Sequence, residues 1–168
     1  MARTLVVMRH SKAEAHGGVD SARVLADRGH VDAADAGRFL AEAGTVPDHV
    51  LVSAAARTQE TWADVFEKVG GAPLVDVRWD LYSAGAEEML AAVRTVPEDA
   101  STVLVVGHNP TAAQVAYLLD DESGDGEARQ VLDEGFPTSA LAVFEVDVPW
   151  GDVGQGAGRL VRAHVGRG

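Results

Sequence analysis

Two histidines, His10 and His108, stand at the ends of apolar runs, and that placement is where chemistry first suggests itself in this chain. In "LVVMRHSKA" the apolar residues Leu5 to Met8 lead straight into Arg9 and His10. In "TVLVVGHNP" a second run ends on Gly107 and His108. A neutral imidazole is a nucleophile near neutral pH, and a guanidinium is a planar fork of donors matched to phosphate or carboxylate oxygens. Guanidinium groups beside His10 are expected to lower its pKa and keep the attacking form populated. A third segment, "SAAARTQETW", carries Arg57 about one turn beyond Ser53. Each piece alone has a bland reading: a solvated strand end, a capping or core histidine, a surface arginine. Gly107 allows close backbone approach or an unusual φ, and Asn109-Pro110 marks a turn. A helix starting near Thr111 would then present its N-terminus to an anion beside His108.

These residues share a site only if the elements before them lie side by side. Strands are expected at Thr4–Arg9, His49–Ser53, Leu74–Val77, Thr102–Val106, Ala140–Val146 and Arg159–Ala163. Helical spacing joins Ala33, Ala36, Leu40 and Ala43; Trp62, Val65, Phe66 and Val69; Met89, Val93 and Val96; and Ala112, Val115, Ala116 and Leu119. Strands alternating with helices imply an α/β fold, three layers deep, with a mostly parallel central sheet. The last two strands lack a helix between them, which predicts an antiparallel edge. The acidic stretch 120–137 reads as a solvated loop, with a lid over the site as the functional alternative. In such sheets ligands bind beyond the carboxyl ends of the strands, where Arg9-His10, Arg57 and His108 all fall.

The 168 residues suit one domain, 1–168, with 46% hydrophobic and 24% charged residues. A formal net charge of -12 disfavours a nucleic-acid partner but not a small phosphate pocket. No apolar run is long enough for a signal peptide or a membrane span, so a soluble cytoplasmic protein is expected. There are no cysteines, and the six histidines lack the close spacing of metal ligands.

Taken together, "LVVMRHSKA", "SAAARTQETW" and "VVGHNP" resemble the signature segments of the histidine phosphatase superfamily. The short chain is similar to its small bacterial phosphohistidine phosphatase (SixA-type) branch. The likeness runs on through "DSARVLADRGHVDAADAGRFL", "DLYSAGAEEML" and "FPTSALAVFEVD". It implies a phosphoglycerate mutase-like fold, His10 as the phosphoryl-accepting nucleophile and His108 as the second pocket histidine. Arg9 and Arg57 would hold phosphoryl oxygens, with Arg23 at the pocket mouth, and no metal or cofactor would be needed. The implied partner is a phosphate-bearing substrate, foremost a phosphohistidine protein in signal transduction. Alternatives are a general small-molecule phosphomonoesterase and a non-catalytic phosphohistidine-binding module; a mutase would need cap insertions this chain is short for. Ser11, Ala54 and Ala26 depart from the usual glycine, proline and Thr or Ser. Asp80, Glu87 and Glu88 occupy the region where larger members keep a general acid, without a clear match.

Overall fold

The computed structural model describes residues 2–15 and 18–168. Among these residues six strands form one sheet: β1 (Arg3–Arg9), β2 (His49–Ser53), β3 (Leu74–Arg78), β4 (Thr102–Gly107), β5 (Ala140–Val146) and β6 (Gly158–Val165), in the order β3-β2-β4-β1-β5-β6. β1, β2, β3 and β4 pair in parallel, whereas β5 runs antiparallel to both β1 and β6. The edge formed by β5 and β6 is therefore antiparallel, and the reversed strand is β5, one place in from the rim.

Among the described residues, five α-helices cover the sheet: α1 (Asp27–Glu42), α2 (Ala56–Val69), α3 (Ala86–Val93), α4 (Thr111–Leu119) and α5 (Gly126–Asp133). Side chains alternate along each central strand, so one face takes Val6, Met8, Val50, Val52, Leu104 and Val106 against α1 and α2. The other takes Leu5, Val7, Leu51, Val103 and Val105 against α3, α4 and α5. Both faces are buried, which is why these strands read as unbroken apolar runs. In α2 the predicted stripe is narrower than its spacing suggests: Trp62, Val65 and Val69 are buried, while Phe66 stays 40% exposed on the flank. The stretch 120–137, expected as loop, contains α5. Asp125 caps it by accepting from the Glu127 N–H at 2.9 Å, and Ala128 and Leu132 turn into the core. Among the described residues, no helix is long and apolar enough to cross a membrane.

The segment after β1 is held against the start of α1. Ala26 donates its N–H to the Lys12 carbonyl at 2.9 Å, and Ala13 bridges to Leu25. A Cβ on Gly29 would lie 2.1 Å from that same Lys12 oxygen, so the glycine of this segment is required by packing rather than chemistry. Ala26 is the N-cap of α1 and offers it no side-chain hydrogen bond. Ala26→Ser should therefore stabilise the protein by about 1 kcal/mol, read as a raised denaturation midpoint with an unchanged slope. No gain would mean that the first turn of α1 is already satisfied by solvent.

Candidate active site

β1 and β4 are sheet neighbours with Arg9 opposite Gly107. The pairing continues one step past the strands, where the His10 N–H donates to the Gly107 carbonyl at 3.0 Å. The histidines that follow the two strands are consequently brought together, ring centroids 5.4 Å apart and planes inclined by 57°. Gly107 has no unusual φ; a Cβ there would meet the terminal methyl of Met89 at 2.6 Å, a contact that flexible side chain would have to yield.

His10 is only 8% exposed. Its Nδ1 lies 2.7 Å from the Ser11 carbonyl oxygen, which can only accept, so the proton sits on Nδ1 and Nε2 keeps a free lone pair. Burial is the main cause that lowers its pKa to about 4; the Ser11 carbonyl opposes this, and the charges of Arg57, Arg9 and Arg23 add to it. The guanidinium groups thus act in the expected direction, but burial leads. His108 Nε2 stands 2.8 Å from Ser53 Oγ, at the end of β2. Its pKa is lowered to about 3, first by burial, then by His10 and Arg57, with Asp20 pulling the other way. At neutral pH both rings are uncharged.

Arg57 lies in the first turn of α2, which leaves β2 directly at the carboxyl edge of the sheet. Its Nη1 donates to the Asp20 carbonyl at 3.0 Å and its Nη2 to Asp20 Oδ2 at 3.2 Å. Thr61 ties this turn to the loop after β1, accepting from the Ser11 N–H at 3.0 Å and donating to the Arg57 carbonyl at 2.7 Å. Arg23 follows the 3-10 turn Asp20–Ala22 and faces Asp20 Oδ1 at 3.5 Å. Among the described residues, Nε of Arg9, Arg23 and Arg57 and Nδ1 of His108 are buried with no hydrogen-bond partner. Three guanidinium charges acting on a neutral imidazole are an arrangement matched to an anion.

All five expected side chains therefore lie in one region, with Arg9, Arg23 and Arg57 each acting on the charge state of His10. Asp20 and Tyr82 were not anticipated. Tyr82 donates to Asp20 Oδ2, stands edge-on to His108 at 5.6 Å and lies under the Arg57 guanidinium at 5.9 Å. Asp20 was visible only as the first residue of Asp-x-x-Arg; Tyr82 carried no signal beyond its place in "DLYSAG". Ser11 is fully buried and shares a hydrogen bond with Ser139, a structural use of the position where glycine is usual. Ser139 in turn donates its N–H to the His10 carbonyl at 3.1 Å. Asp80 and Glu87 are held in ion pairs with Arg78 at 2.8 Å and Arg94 at 2.6 Å. Among the described residues, no group of three or more His, Asp or Glu is arranged to hold a metal ion; His16 lies outside those residues.

No family model matches the chain. An uncharacterized protein of Mycobacterium tuberculosis is 36% identical over 162 residues, which is 95% of this chain and all of that one. Among solved structures, a Nakamurella multipartitia protein assigned as the phosphohistidine phosphatase SixA is 33% identical, with a TM-score of 0.84 over 99% of this chain and 97% of that one. The chain belongs to the histidine phosphatase superfamily. A second SixA-assigned histidine phosphatase, from Agrobacterium tumefaciens, is 25% identical with a TM-score of 0.81 over 98% and 99% of the two chains. The protein histidine phosphatase SixA complexed with tungstate, 22% identical, shares the fold at a TM-score of 0.77 over 96% of each chain.

Proposed function

We propose that this histidine phosphatase uses His10 as its nucleophile and dephosphorylates phosphohistidine on a signalling or phosphotransfer protein. The observation that carries the reading is the free lone pair of His10 Nε2, set by the Nδ1–Ser11 hydrogen bond, with Arg57, Arg9 and Arg23 close enough for their charges to act on the ring. In the first step Nε2 forms a bond to phosphorus as the bond to the leaving nitrogen breaks. The ring keeps its Nδ1 proton, and the Ser11 carbonyl stabilises the positive charge it acquires. Arg9 and Arg57 hold the equatorial oxygens, with Arg23 at the mouth and His108 alongside, where phosphoryl-transfer catalysis chiefly lies. In the second step water attacks phosphorus as the P–Nε2 bond breaks and its electron pair returns to the ring; water loses a proton to solvent, orthophosphate leaves, and neutral His10 is restored. No cofactor is invoked.

The choice of substrate follows from the leaving group. An alkoxide needs a proton as it departs, usually from a carboxylic acid or imidazolium. Here both imidazoles are neutral at pH 7, Asp20 is held ionised below the usual carboxylate range by Tyr82 and the arginines, and Asp80 is paired with Arg78. A P–N bond, whose nitrogen protonates readily from solvent, suits such a pocket better than an alkyl phosphate. The test compares a phosphohistidine protein with a sugar phosphate under identical conditions. The reading expects kcat/KM to favour the former by at least about 100-fold; equal or reversed preference supports the small-molecule phosphomonoesterase instead. Full binding without turnover of either would support the binding module.

The pH profile is a further expectation. Because the His10 pKa lies near 4, its neutral form persists well below the ordinary histidine value. Corrected for substrate ionisation, kcat/KM should stay level from neutral pH to about 5 and fall only nearer 4. A fall centred near 6.5 would mean that the attacking group is not this buried imidazole.

A further inference from the structure

Asp20 is an odd neighbour for a phosphate pocket, because it brings a carboxylate to the arginine expected to hold an anion. Its side chain accepts from Arg57 Nη2 at 3.2 Å and from the Tyr82 hydroxyl, and faces Arg23 Nη1 at 3.5 Å. Its main-chain carbonyl accepts from Arg57 Nη1 at 3.0 Å. Both terminal nitrogens of Arg57 are thereby engaged by Asp20, each through one of its two N–H groups. One N–H then remains on each terminal nitrogen to meet a ligand.

We infer that Asp20 is a resident counter-ion of this pocket: it holds Arg57 in place for the phosphoryl group, and by like charge it weakens retention of the orthophosphate product. The inference rests on the phosphatase reading above and extends it to product release. Two features favour it over a merely structural ion pair. The Asp20 side chain is about half exposed, so it contributes little to the core, yet it gathers Arg57, Arg23 and Tyr82 from three separate segments. Its charge also reaches the second histidine, where it is the one influence among the leading causes that opposes the lowered pKa. Phosphate arriving at the same arginines must share them with a carboxylate, and two anions separated by several Å of partly wet protein repel by an amount worth about a tenfold change in affinity.

The two roles separate in a pair of variants. Asp20→Asn keeps oxygen and size, so Arg57 and Tyr82 retain an acceptor while the negative charge is gone. Asp20→Ala removes both. Binding of orthophosphate is measured by calorimetry on each, alongside steady-state turnover of an aryl phosphate and a thermal melt. The expected result is orthophosphate held about tenfold more tightly by Asp20→Asn than by the wild type, with competitive product inhibition strengthened to match. Asp20→Ala should add a loss of kcat that Asp20→Asn largely avoids, because only in the former is Arg57 released. A structural role alone cannot tighten anion binding, so unchanged or weaker orthophosphate binding in Asp20→Asn overturns the inference. Failure of both the wild type and Asp20→Asn to bind orthophosphate, with no turnover of the aryl phosphate, would overturn the phosphatase reading itself, a distinct outcome of the same experiment.

Discussion

His10→Ala is expected to lower kcat/KM on an aryl phosphate by about 10^4-fold or more, since removing a covalent nucleophile abolishes the step on which the other groups act. His108→Ala should leave more activity, because on this account it stabilises charge rather than forming the bond. The fold supplies an internal check that the loss at His10 is chemical. In the folded protein His10 has a pKa of about 4, against about 6.5 when unfolded. Between those values the unfolded chain binds a proton that the folded one does not, so stability falls as pH drops from about 6.5 toward 4. The total is roughly 3 kcal/mol from this residue. The alanine variant loses that penalty, and its denaturation free energy should depend less steeply on pH across that window. Inactivity with this flattened profile identifies a folded enzyme lacking its nucleophile. Retained activity would remove His10 from the mechanism.

The second large effect is expected at Arg57. Arg57→Ala should cost about 10^2- to 10^3-fold in kcat/KM, the usual consequence of removing one preorganised donor from a developing anionic centre. Arg57→Lys should recover little of it. An ammonium is a single point of charge; it cannot reach both the carbonyl and the carboxylate of Asp20 while offering a third N–H to the pocket. Recovery by lysine to near wild-type rates would mean that only the charge at this position matters. Steady-state kinetics on the two variants, with KM and kcat separated, decides between these.

Much of this arrangement could be read before the chain was folded, for identifiable reasons. The central strands are buried on both faces, so "LVVMR", "HVLVS" and "TVLVVG" announce themselves as apolar runs, and their polar endings mark the carboxyl edge where ligands bind. Arg9, His10, Arg57 and His108 were legible because each follows such a strand closely. α5 was not, because it buries only Ala128 and Leu132 within an acidic stretch and owes its start to the Asp125 cap. The Asp20–Tyr82 contact was equally hidden: neither residue follows a strand, and their meeting depends on where the 3-10 turns at Asp20–Ala22 and Trp79–Leu81 come to rest. The lowered pKa of His10 was expected from its arginines, whereas burial is the larger cause, and burial cannot be judged until β1 and β4 are paired.

The same pairing explains why one sheet edge concentrates the chemistry. Asn109, next to His108, donates to the Phe136 carbonyl at 2.9 Å, and Ser139 donates to the His10 carbonyl at 3.1 Å. The segment entering β5 is thus fastened to both histidine turns. Thr61 fastens α2 to the first of them. The imidazoles are held from several directions by main-chain and hydroxyl contacts, the fixed geometry that the proposed mechanism requires before substrate arrives.

The most direct test of the account is to catch the phosphoryl group on the enzyme. Wild-type protein mixed with an aryl phosphate, quenched in base within milliseconds and examined by mass spectrometry of its peptides, should carry one phosphoryl group on His10. That group should be labile to acid, and it should be absent from His10→Ala. A phosphoryl group on any other residue, or turnover at full rate with no enzyme-bound phosphate at any time point, would contradict the assignment of His10 as the nucleophile.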